Sequence, residues 1–98
     1  VVIGSMVLTL HLPLSQSLKA KRQVVSSLTA RMRRTFNIAV AEVDSLDSWQ
    51  LAVIGVSCVS NDGRHCDQML NKVASWVAED GGNGEALLTR QEIELIHL

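Results

Sequence analysis

Hydrophobic periodicity changes along this chain in a fixed order, and that order restricts the fold more than any other feature. In residues 1–12 Val2, Met6, Leu8, Leu10 and Leu12 share one parity, interrupted by Gly4, as a half-buried strand requires. From Leu18 to Thr35 the spacing becomes helical: Leu18, Val24, Val25, Leu28 and Met32, followed by Phe36, form one stripe. Ser17 is a good N-cap for that helix and Asn37 a stop signal. Ile38 to Asp44 and Gln50 to Ser60 are rich in Val, Ile and Ala and read as a hairpin, with 45–49 as its loop. Asn61-Asp62-Gly63 opens a second helix, in which Cys66, Met69, Leu70, Val73 and Val77 fall on one face. The run Gly81-Gly82-Asn83-Gly84 ends it before a last strand, Leu87 to Leu98.

The resulting order is strand, helix, strand, strand, helix, strand. Right-handed crossovers then put both helices on one face of a four-stranded antiparallel sheet, so the expectation is an α+β, ferredoxin-like βαββαβ fold over 1–98 as a single domain. With 47% apolar residues the chain can fill a core without staples. Residues 1–12 are too short to span a bilayer and run into Pro13, so a strand and a cytoplasmic protein are expected, not a signal sequence. Cys58 and Cys66 form no CxxC motif and are expected to be free thiols used in packing.

The sheet face away from the helices has no cover in this arrangement. Val1, Ile3 and Val7 stand on the second parity of the first strand, and the third strand is apolar on both parities. A homodimer or higher homo-oligomer through that face is the economical expectation. Trp49, beside the hairpin loop, is either a wedge against a helix end or an interface anchor.

Charge is strongly segregated. Residues 1–41 carry +6 and residues 42–98 carry −7, within a net charge of −1. Lys19, Lys21, Arg22, Arg31, Arg33 and Arg34 lie within sixteen positions, and no acid precedes Glu42. Taking about 100° per residue, Lys19, Arg22, Arg33 and Arg34 share an arc of about 120° opposite the apolar stripe, while Lys21 projects near the apolar side. Arg33 and Arg34 complement the negative end of the helix dipole. Lys19, Lys21 and Arg22 sit at its positive end, where each cation is disfavoured by up to about 0.3–1 kcal/mol. Free N–H groups, the Ser17 hydroxyl and these cations together suit a phosphate. The expected nucleic-acid or anion site is therefore Ser17, Lys19, Lys21, Arg22, Arg33 and Arg34. A solvated face, or pairing with an acidic patch on a neighbouring copy, are the alternatives.

Other chemistries of this fold lack their residues. RNA-recognition motifs stack bases on aromatics of the central strands, and the first and third strands have none. The loop Pro13-Leu14-Ser15-Gln16 carries no arginine to cradle a phosphate for acylphosphatase-like chemistry. His11, His65 and His97 lie in three elements without the spacing of a zinc site, so neither metal nor cofactor is expected. Glu42, Asp44 and Asp47 flank a turn and could act as a base or hold magnesium, but turns are built from such residues in any case. No reaction can be read from the chain, and no catalytic residue is assigned.

The runs HLP at 11–13, SLKAKR at 17–22, FNIAVAEVD at 36–44, DSWQ at 47–50 and CVSND at 58–62 resemble the YlxP-like, or DUF503, family of small bacterial proteins. The resemblance implies a ferredoxin-like fold. It also implies a gene neighbourhood shared with translation initiation factor two and ribosome-binding factor A, hence a role around the ribosome or its RNA; the expected partner is ribosomal RNA or the small ribosomal subunit, and neither DNA nor a membrane is expected. It supplies no catalytic residues. Two positions depart from the family's pattern: Ala20 stands where an acid would close a capping box, and Gly63 where a basic residue is common.

Overall fold

The structure, a computed structural model, describes residues 1–98. Its elements are β1 (Val2–His11), α1 (Leu18–Thr35), β2 (Ala39–Asp44), β3 (Leu51–Ser60), α2 (Gly63–Gly84) and β4 (Leu87–His97). They form one antiparallel sheet in the order β2-β3-β1-β4, with β1 central between β3 and β4. This is the expected ferredoxin-like α+β arrangement.

Strand alternation builds the core. Met6, Leu8 and Leu10 of β1 and Ala52, Ile54 and Val56 of β3 point toward the helices and are almost wholly buried. Val25, Leu28 and Met32 of α1 meet them from one side, and Leu70, Val73, Ala74 and Val77 of α2 from the other. Each large side chain so buried contributes about 1.5–3 kcal/mol against the entropy of ordering the chain. Phe36, just past α1, meets Trp76 of α2 edge to face, with ring centroids 6.0 Å apart.

Two strands carry an extra residue, and each has a visible consequence. The register of β4 against β1 steps between Thr9 and Leu10, leaving Thr89 to donate its hydroxyl to the Thr9 carbonyl. The register of β2 against β3 steps between Glu42 and Asp44, which places Val43 over Gly55. A Cβ on Gly55 would lie 2.8 Å from Val43 Cγ1, so a side chain there would force Val43 to move, and glycine lets the bulge settle as it is.

The end of α2 is unusual. Gly81, Gly82 and Asn83 all have positive φ, between 55° and 60°, which turns the chain left-handed for three residues. Glycine tolerates this region freely, and asparagine better than most side chains. The Ala86 N–H donates to the Gly81 carbonyl at 2.8 Å and returns the chain toward β4. A side chain at Gly82 would also strike Val24 of α1, at 2.8 Å from the Cβ.

Candidate nucleic-acid interface

Helix α1 begins as its sequence dictates. Ser17 Oγ accepts the Ala20 N–H at 3.0 Å, and no acid stands in the first turn. The capping bond uses an Oγ lone pair and leaves the hydroxyl proton free to donate. Lys19 and Arg22 are exposed and flank a shallow groove floored by Ser26, Ser27 and Ala30. At the far end Arg33 and Arg34 are exposed. Arg33 also donates to the Val40 carbonyl at 2.7 Å, which draws it toward the free edge of β2. None of Lys19, Arg22, Arg33 or Arg34 is paired with a carboxylate. Arg22 and Arg33 are separated by about 16 Å of helix axis, so the face can span several phosphates.

Lys21 does not belong to this face. Its side chain is wholly buried, and its ammonium donates to Glu42 Oε2 at 2.8 Å and to the carbonyls of Ser45, Leu46 and Leu51 at 3.0, 3.3 and 3.2 Å. Four oxygens around three protons leave nothing for an external anion. The expected site is corrected accordingly. Lys21 pins the β2–β3 loop to α1, while Ser17, Lys19, Arg22, Arg33 and Arg34 remain on the outer surface. The cage was foreshadowed in the sequence. Lys21 lies near the apolar stripe, and Glu42 shares the parity of Val40, which points toward the helices. An acid on the inward parity opposite a basic residue on the inward stripe signals an internal pair.

Arg31 is likewise withdrawn, since its Nε and Nη2 donate to the two Asp80 carboxylate oxygens at 3.1 and 2.7 Å. That guanidinium holds the Asp80 carboxyl below its ordinary value of 3.8, chiefly through these hydrogen bonds. The acids proposed for chemistry do not converge. Glu42 is committed to Lys21, Asp44 accepts the Ser45 N–H at 2.6 Å, and Asp47 is exposed. No three His, Cys, Asp or Glu side chains gather where a metal could sit.

Trp49, beside the hairpin loop, is 56% exposed. Its neighbour holds the loop: Gln50 Nε2 donates to the Pro13 and Ser15 carbonyls, both at 3.2 Å, and Leu12 N–H donates to the Gln50 carbonyl at 2.8 Å. Val1 and Val7 are exposed at 68% and 38% on the sheet face without helices, and Ile3 between them is half-buried. The same face has a depression of about 370 Å³ over Gly55, lined by Val7, Ala39, Ala41 and Val43. Cys58 and Cys66 are free, and their sulfurs lie 3.1 Å apart. Sequence reasoning gave both to packing and missed that they touch, because the contact depends on how α2 docks on β3. Burial and the adjacent Cys66 sulfur push the Cys58 thiol up to about 11.

With this geometry in hand, comparison with known proteins is decisive on family. A family model described as "Protein of unknown function (DUF503)" matches residues 3–91. The chain belongs to the DUF503 family. Within it, the chain is 30% identical over 61 residues to "Uncharacterized protein YlxP" of Bacillus subtilis (strain 168). That alignment covers 62% of the chain and 66% of the relative, a little under two thirds of the latter. Among solved structures, the de novo designed protein Foldit4 superposes with a TM-score of 0.52 at 8% identity, over 100% of this chain and 99% of that one. A likeness so distant in sequence shows the fold alone. No helix of this DUF503 protein is long and apolar enough to cross a membrane.

Proposed function

We propose that this DUF503 protein is a non-catalytic, cytoplasmic accessory factor that holds RNA phosphates along the outer face of α1. The carrying observation is that Lys19, Arg22, Arg33 and Arg34 line one exposed helix face with no carboxylate paired to any of them. Unneutralised cations at a helix start are electrostatically costly, and a polyanion offsets that cost by releasing its condensed counterions. Contacts to phosphate position a strand without reading its bases, so sequence preference should be slight. The resemblance to the YlxP-like family directs the reading to ribosomal RNA or the small ribosomal subunit. Capture from cell lysate at low and at high salt, with the bound RNA identified, tests it. Ribosomal RNA retained at low salt and released at high salt is the expected result. Absence of RNA from the low-salt capture would refute it.

A second reading is favoured by the open sheet face. There Val1, Ile3 and Val7, with the depression over Gly55, form an apolar surface that a second copy could cover. On that reading the protein is a self-associating structural or regulatory module with no nucleic-acid role. Light scattering at micromolar concentration, showing a dimer or higher oligomer that does not bind RNA, would favour it over the first.

A further inference from the structure

We propose that Cys58 and Cys66 are a modification site, a dithiol that closes to an intramolecular disulfide by exchange with a low-molecular-weight disulfide. Cys58 lies near the end of β3 and Cys66 in the first turn of α2, so the bond would tie the second helix to the sheet. The sulfurs already stand 3.1 Å apart, and closure to about 2.05 Å requires a movement of about one ångström. Nothing intervenes. Gly4, the register partner of Cys58 on β1, has no side chain, and a Cβ there would lie 2.5 Å from Cys66 Sγ and 3.2 Å from Cys58 Sγ. The pair therefore rests directly on the backbone of the central strand, with Leu70 packed beside it.

Access is asymmetric, and that sets the order of events. Cys58 is partly exposed, whereas Cys66 is wholly buried. The Cys58 sulfur attacks one sulfur of the reagent disulfide, whose S–S bond breaks, and the first small thiol leaves with the Cys58 proton. Cys66 Sγ then attacks Cys58 Sγ, breaks the mixed disulfide and releases the second small thiol with its own proton. Two protein thiols are oxidised, and one reagent disulfide is reduced to two thiols. Because the folded protein holds the sulfurs together, it should favour the closed form more than the unfolded chain does.

The test is equilibration of the full chain with mixtures of oxidised and reduced glutathione, once folded and once in urea. Alkylation and mass measurement then report the thiols. Expected for the folded protein is a product lighter by two hydrogens with neither cysteine alkylated. Half-oxidation should persist against about tenfold more reducing power than in urea. The variant Cys66→Ser should stop at one glutathione attached to Cys58, which separates closure from simple accessibility. The proposal is overturned by two alkylatable cysteines in the folded protein, by a stable mixed disulfide at Cys58 with Cys66 present, or by a half-oxidation ratio no higher than in urea. It is independent of RNA binding and stands or falls without it.

Discussion

Replacing Lys21 by Met keeps the length of the side chain and removes its charge, so it isolates the buried cage from the packing of its stem. The wild-type ammonium is wholly buried and donates to one carboxylate and three loop carbonyls, while Glu42 keeps 15% of its side-chain surface exposed. Removing one member of such a pair leaves the other charge without compensation, at about 3–5 kcal/mol. The orphaned carbonyls add to that cost, and the residual exposure of Glu42 offsets part of it. A loss of about 3–4 kcal/mol is therefore expected for Lys21→Met, a large share of the ~5–15 kcal/mol typical of a domain. Glu42→Gln retains an acceptor and should cost about 1.5–3 kcal/mol. The double variant Lys21→Met with Glu42→Gln carries no unpaired carboxylate and should be less destabilised than the sum of its parts. Urea unfolding followed by tryptophan fluorescence and circular dichroism gives all three values. A loss below about 1 kcal/mol for Lys21→Met, or strict additivity in the double variant, would refute the cage as a structural anchor.

Three further outcomes are expected. Gly4→Ala would drive a methyl group to 2.5 Å from Cys66 Sγ and 2.9 Å from Leu70 Cδ1, so denaturant unfolding should show a loss of about 1–3 kcal/mol, partly restored by adding Cys66→Ala. The Asp80 carboxyl titrates below 3.8 in the folded protein, so its pairing with Arg31 stabilises fully above that pH and is lost as pH falls through the lower folded value. Asp80→Asn should therefore be less stable than wild type at neutral pH, and the difference should shrink in acid titrations below pH 3.8. Light scattering at micromolar concentration should find more than a monomer, and replacing Val7 by Lys on the open sheet face should shift the population toward monomer.

Most of the fold was legible because strands and helices repeat on different periods, and the elements lie within about one residue of their sequence reading except at the end of α2, which runs on through the left-handed Gly81-Gly82-Asn83 turn to Gly84. The parity of Met6, Leu8 and Leu10 announced which sheet face the helices cover. What the sequence did not disclose were contacts between elements. Lys21 falls on the apolar side of the helix wheel, and only the inward parity of Glu42 hints at the partner its buried ammonium finds. The Cys58–Cys66 contact depends on where α2 lands over β3. The loop beside Trp49 is fastened by the side-chain amide of Gln50, which donates to the Pro13 and Ser15 carbonyls across to the β1–α1 loop. Local propensity fixes elements, whereas sites assembled from two elements need the register between them.

The outer face of α1 is tested most directly by the salt dependence of RNA affinity, measured for the wild type and for a variant with Lys19, Arg22 and Arg34 replaced by Gln. Lys21 stays in place, because its loss would confound binding with folding. Small ribosomal subunits and naked ribosomal RNA serve as ligands across 50–200 mM salt. About four phosphate contacts give a log–log slope near −3 to −4, or roughly a hundredfold loss of affinity over that range. The variant should fold as the wild type does, bind more weakly at low salt and show a slope near −1. Equal affinity and equal slope for the two proteins would contradict phosphate binding by this helix.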